Sequence, residues 1–163
     1  QTCALPIYVT VRDIVSTYVY PNTLVVYEVT GEILKKALSR SAEYFYYDGK
    51  EVRISDSFLK PKVEHYNYDY FSNIEYTFTL NSNGRNSVDA VKFNGKEISD
   101  NDKFTLVMNN YRASGAGGYE FFKDCKIIKE IQIEMPEIII NYFEKHKKVI
   151  VDKTKYIHVK LNK

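Results

Sequence analysis

The stretch Asn22-Thr23-Leu24-Val25-Val26-Tyr27-Glu28-Val29, followed at once by Thr30-Gly31-Glu32-Ile33-Leu34-Lys35-Lys36-Ala37-Leu38, decides the fold class. The first half is a short β-rich apolar run of the kind buried in a sheet. Thr30 is placed to cap a helix, and Ile33, Leu34, Ala37 and Leu38 then recur at helical spacing. A strand passing directly into an amphipathic helix predicts a chain of mixed elements.

Further along, Ile74, Tyr76, Phe78 and Leu80 alternate with Glu75, Thr77 and Thr79, which predicts a half-buried strand. A loop at Asn83-Gly84 leads to a strand over 88–93. Asn94-Gly95 predicts a type I′ hairpin into 96–98, and 104–108 reads as another strand. Tyr44 to Asp56 turns at Asp48-Gly49 and reads as a hairpin or a loop. Pro136 marks the first turn of a helix with Ile139, Tyr142 and Phe143 on one face. Its basic end, Lys145 to Lys148, complements the helix dipole. Ile157, Val159 and Leu161 predict a last strand. Strands and helices follow no βαβ rhythm, so the fold class is α+β, in one domain.

The 163 residues suffice for a single core and carry a formal net charge of +2, too little to suggest a nucleic-acid or membrane-surface partner. No apolar run approaches the roughly 20 residues of a membrane span. The composition is unusual in its rings: 15 Tyr and 9 Phe with no Trp. Tyrosine suits both β-sheets and half-wet surfaces that hold something flat.

Residues 1–7, Gln1-Thr2-Cys3-Ala4-Leu5-Pro6-Ile7, resemble the translation of a short-read sequencing adaptor. Native sequence is therefore expected from Tyr8, with 8–163 as one N-terminally truncated domain. Cys3 would then be foreign, leaving Cys125 alone and no basis for a disulfide.

Two segments carry candidate binding chemistry. In Asn109-Asn110-Tyr111-Arg112-Ala113-Ser114-Gly115-Ala116-Gly117-Gly118-Tyr119, three of the chain's glycines lie within four residues. Such a run lets backbone approach a ligand and exposes N–H donors, although it matches neither the Walker nor the dinucleotide pattern. In Tyr66-Asn67-Tyr68-Asp69-Tyr70-Phe71, strand alternation would set Tyr66, Tyr68 and Tyr70 apart from Asn67, Asp69 and Phe71. One ring from each segment could grip a nucleobase, with an Asn reading its edge. The bland readings are a flexible connector and a strand entry with surface tyrosines.

Three motifs, in order, resemble the bacterial 2′,3′-cyclic-nucleotide 2′-phosphodiesterase/3′-nucleotidases. Tyr20 to Gly31 resembles the family's YPNTLVVLEVTG; Tyr66-Asn67-Tyr68-Asp69 with Ile74-Glu75-Tyr76 resembles YNFD…GVxY; Asn109 to Gly115 resembles NNYRASG. The resemblance runs from about Val9 to the helix after Pro136. It implies an exported enzyme, extracellular, at the cell surface or periplasmic. Its N-terminal metallophosphoesterase domain carries two divalent metals, and its C-terminal α+β domain binds the nucleoside or nucleotide between two aromatic rings. Carried over by motif, the rings are Tyr68 and Tyr111, with Tyr66 competing for the first place. Asn67 is expected to contact ligand and Asn110 to shape the loop, and Gly115 and Gly117 are expected among the substrate-binding positions. Related 5′-nucleotidases have an Asp six residues after the stacking ring, where this chain has Gly117; the family's upstream Asn-Gly-Gly-Gly-Ile-Arg segment is absent.

A dimetal hydrolase needs clustered ligands holding ions roughly 3.5–4 Å apart. The three histidines His65, His146 and His158 are scattered and show no metal-ligand spacing, and neither a serine-hydrolase elbow nor a cysteine–histidine pair is present. The expectation is a domain with no cofactor or catalytic residue of its own, which binds substrate and needs the metal-bearing domain for turnover. The alternatives are a C-terminal domain of a 5′-nucleotidase/UDP-sugar hydrolase, or a non-enzymatic tyrosine-rich surface module binding glycans or protein.

Overall fold

The computed structural model describes residues 8–163; the leader read at 1–7, with Cys3, lies outside the described residues. The chain order is α1 (Val11–Thr17), β1 (Leu24–Thr30), α2 (Gly31–Ala42), β2 (Phe45–Tyr47), β3 (Val52–Ile54), β4 (Glu75–Asn81), β5 (Ser87–Phe93), β6 (Lys96–Glu97), β7 (Lys103–Asn109), α3 (Asn110–Ala113), β8 (Lys126–Ile131), α4 (Met135–Lys145) and β9 (Ile157–Asn162). The architecture is α+β. One antiparallel sheet has the order β7-β1-β8, a second β6-β5-β4-β9 with β9 parallel to β4, and β2 and β3 form a separate hairpin.

The strand-to-helix junction forms as the sequence predicts. Val25, Tyr27 and Val29 of β1 are buried, and the Thr30 hydroxyl accepts from the Ile33 N–H at the start of α2. Leu34, Ala37, Leu38 and Ala42 put one face of α2 into the core, where the helix touches both β1 and β5. In that core Tyr76, Phe78 and Leu80 of β4 are almost fully buried, and Ile74 lies just ahead of the strand. Thr77 on the opposite face is buried as well, because β4 runs between β5 and β9. Asn94 and Gly95 both take positive φ, 50° and 76°, as a type I′ turn requires.

Two elements escape the sequence pattern. In α1 the capping box is explicit: the Thr10 hydroxyl accepts from the Asp13 N–H, and the Asp13 carboxylate accepts from the Thr10 N–H. Strand β8 has no alternation to betray it; it exists because β1 offers a second edge. Tyr44 to Asp56 resolves as a hairpin.

Candidate functional site

The glycine loop is held from beneath before it presents any side chain. Asn109 ends β7 and caps α3, its Oδ1 accepting from the Arg112 N–H at 2.8 Å. The Asn110 N–H donates to the Thr23 carbonyl and its Oδ1 accepts from the Thr23 N–H, at 3.0 and 3.2 Å, so the loop is pinned to the entry of β1. From the core, the Tyr27 hydroxyl donates to the Ala113 carbonyl, and the Tyr119 hydroxyl bonds to that of Ser41. Two asparagine side chains and two tyrosine hydroxyls therefore fix a segment that reads as a flexible connector.

This leaves Tyr111 on the surface, 38% exposed, its hydroxyl donating to Asn67 Oδ1 at 3.3 Å. Partial burial, with Tyr66 close by, pushes the Tyr111 hydroxyl up from its ordinary pKa. The second segment forms a 3-10 turn over His65–Asn67 rather than an extended strand entry. A 3-10 turn repeats every three residues, not every two. That corrects the grouping expected from alternation: Tyr66 and Tyr70 face solvent, Tyr68 turns inward, and Asn67 is buried at 3% exposure.

The structure brings Tyr66 to Tyr111. Their ring centroids are 6.2 Å apart at 71°, edge to face. The Tyr68 ring packs 4.8 Å from Tyr44 and 5.5 Å from Phe45, against the core. Burial pushes its hydroxyl up in pKa. His65 is turned to Tyr44, with its Nδ1 2.8 Å from the Tyr44 hydroxyl.

Gly115 and Gly117 both have positive φ. Gly117 also permits a close approach: a Cβ there would overlap Asn67 Oδ1 and Arg112 Nη1. At Gly117 the backbone thus approaches the protein's own side chains.

Sequence reasoning singled out no role for Arg112 or Asp69. Arg112 is 4% exposed, with its Nε 2.5 Å from Asp69 Oδ2 and its Nη2 3.1 Å from Asp69 Oδ1. Nη2 also donates to the Tyr66 carbonyl at 3.2 Å, Nη1 donates to the Ala116 carbonyl, and the plane lies 4.1 Å over the Tyr119 ring. Burial pushes the Asp69 carboxyl up, against the opposing pull of Arg112. The available signal was their presence in the two motifs: a cation and an anion flanking the two candidate rings.

A cavity of about 500 Å³ runs along β7, lined by Phe71, Phe93, Phe104 and Met108 and by Asp69 and Arg112; neither Tyr66 nor Tyr111 lines it. Among the described residues no cluster of His, Cys, Asp and Glu is placed to hold a metal ion, and no helix is long and apolar enough to cross a membrane. Cys125 is a half-buried free thiol that burial pushes up in pKa.

Residues 5–124 match the family model described as the C-terminal domain of 5′-nucleotidase. The chain is 26% identical over 151 residues to the trifunctional nucleotide phosphoesterase protein YfkN of Bacillus subtilis, covering 85% of this chain and 10% of that protein. It is 30% identical over 125 residues to a 2′,3′-cyclic-nucleotide 2′-phosphodiesterase/3′-nucleotidase of Haemophilus influenzae, covering 65% and 18%. Among solved structures it resembles a Staphylococcus aureus chain assigned as a 5′-nucleotidase and crystallised with α-ketoglutarate. That match has a TM-score of 0.81 and 34% identity, over 95% of this chain and 30% of the other. A Thermus thermophilus 5′-nucleotidase precursor shares the fold at a TM-score of 0.69 and 19% identity, over 93% of this chain and 28% of the other. The chain therefore spans less than a fifth of the length of these two curated relatives.

Proposed function

This chain belongs to the 5′-nucleotidase C-terminal domain family, and from that premise we propose that it is the nucleoside-binding unit of an exported phosphoester hydrolase acting on 2′,3′-cyclic nucleotides and 3′-nucleotides. In this reading the ester bond is cut by a dimetal metallophosphoesterase domain elsewhere in the parent protein. The C-terminal domain grips the base and carries the specificity.

One observation supports the reading above the rest. Two solvent-facing tyrosines, from segments 45 residues apart in sequence, stand 6.2 Å from each other on a fixed platform. Each face of a sandwiched base needs carbon contacts of about 3.5 Å, so parallel rings would stand about 7 Å apart. The pair needs a ring rotation and an opening of about 1 Å. We assign the clamp to Tyr66 and Tyr111, with Tyr68 the other candidate for the first ring.

Gly117 favours the cyclic-phosphodiesterase branch over a 5′-nucleotidase. A side chain grafted there would meet Asn67 and Arg112 at its first carbon.

Titration calorimetry with adenosine and 3′-AMP, against a glycan panel, tests the proposal. Stacking of a base on a ring is worth about 1–3 kcal/mol by alanine substitution, so Tyr111→Ala should weaken binding about fivefold or more. Tyr66→Ala should match it, while Tyr68→Ala should mainly lower stability. Unchanged affinity in all three variants refutes the sandwich, and binding to glycans alone returns the domain to the class of adhesive modules.

A further inference from the structure

We propose that the buried Arg112–Asp69 pair is a positioning latch that sets the spacing of the Tyr66 and Tyr111 rings; this rests on the nucleoside-clamp reading above. The two rings belong to surface segments joined by no shared sheet or helix. One guanidinium bonds to both. Its Nη2 donates to the carbonyl of Tyr66 itself and to Asp69 Oδ1, its Nη1 donates to the Ala116 carbonyl in the glycine loop, and Asp69 Oδ2 lies beside Nε in the ion pair. Arg112 follows Tyr111 directly, so its anchorage also fixes the backbone from which that ring projects.

Asn67 closes the circuit. Its Nδ2 donates to Glu64 at 2.9 Å, and its Oδ1 accepts from the Tyr111 hydroxyl. The Tyr66 hydroxyl donates to Glu64 as well, at 3.2 Å, so both ring hydroxyls are tied to one short network. Gly117 leaves the room in which Asn67 and Arg112 meet.

Fold stability is a poor reason for such a pair. A buried ion pair recovers little more than its desolvation cost, and apolar replacements of similar volume often fold as well or better. A planar fork of five fixed donors can, however, dictate the separation of two carbonyls, which an ammonium cannot do. Arg112 touches no ligand in this scheme; it acts through Tyr66 and Tyr111.

The test combines Arg112→Lys with a double-mutant cycle against Tyr66→Ala, read by adenosine and 3′-AMP titration, thermal melting and ring-to-ring nuclear Overhauser contacts in ¹³C-tyrosine-labelled protein. Lysine keeps the charge beside Asp69 and loses the fork. We expect Arg112→Lys to melt cooperatively, to bind about tenfold more weakly and to lose the Tyr66–Tyr111 contact. In that background Tyr66→Ala should cost less than about threefold, because a ring already out of place has little left to lose. A merely structural role gives additive losses and an intact ring contact, and either result overturns the latch. If Arg112→Lys does not fold, Arg112→Met with Asp69→Leu, an apolar pair, is judged by the same two readouts. Absence of any nucleoside binding by the wild-type chain sinks the function reading instead; the ring contact in the variants then decides the latch alone.

Discussion

At Gly117 the backbone has φ of +76°, and a Cβ would overlap two buried groups, Asn67 Oδ1 and Arg112 Nη1. Gly117→Ala therefore meets two separable penalties. A non-glycine residue held in the left-handed region costs on the order of 1–3 kcal/mol. Forcing one extra methyl into a packed site adds about 1–3 kcal/mol, because neither an ion-paired guanidinium nor a hydrogen-bonded amide is free to move. The sum is about 2–6 kcal/mol, and at about 2–4 °C per kcal/mol for a chain of this size, melting should fall by about 4–24 °C. Gly95 supplies the control. It has the same φ of +76°, and a Cβ there would find no other atom within 4 Å, so Gly95→Ala carries the first penalty without the second. Melting curves of the two variants by circular dichroism isolate the close approach as their difference. Nucleoside affinity should fall in Gly117→Ala and stay at the wild-type level in Gly95→Ala. If the two variants melt together, the glycine is not there to admit Asn67 and Arg112, and the account of the loop fails.

Tyr76 and Tyr119 are both pushed up to about 12, chiefly by burial. Each then holds its proton in the folded state above pH 10, where the unfolded chain has released it, so stability falls as pH rises from about 10 toward 12. The expected loss is on the order of 2–3 kcal/mol per tyrosine; absorbance titration should show a late class of tyrosines ionising with unfolding, and complete ionisation at pH 10 in folded protein would contradict it. Tyr119→Phe removes the partner of the buried Ser41 hydroxyl and should cost about 1–3 kcal/mol in urea unfolding without altering the slope. Cys125, half-buried and pushed up in pKa, should react with a disulfide reagent more slowly at pH 8 than an unfolded thiol, and equal rates would contradict its burial.

Where residues face one environment, the sequence announces the element. β1 is a continuous apolar run and α2 the adjacent apolar pattern of period 3.6, and β4 alternates because one face meets the core. The turn at Asn94-Gly95 is local backbone chemistry, and so is the start of α4 at Met135–Pro136. β8 and the parallel docking of β9 on β4 are not local. They depend on edges that only the assembled sheets offer, and Ile127 and Ile128 remain half exposed even there. α1 buries only Ile14, too little for an apolar stripe, and its capping box was the one signal available.

The same division runs through the site. Tyr66 and Tyr68 are two residues apart, and extended backbone would have placed both rings on one face. The 3-10 turn sends one to solvent beside Tyr111 and the other to Tyr44 and Phe45, an outcome decided by contacts with distant residues. The glycine run carries no code for what fills the space it leaves; Arg112 fills it from within the same segment, and Asn67 and Arg40 from distant positions the run does not reveal. A residue's capacity to stack or pair is written in its type, but which ring meets which depends on a buried cation holding two carbonyls, and therefore on the fold. If that dependence is correct, moving the guanidinium should move the clamp while the elements that announced themselves in sequence stay where they are.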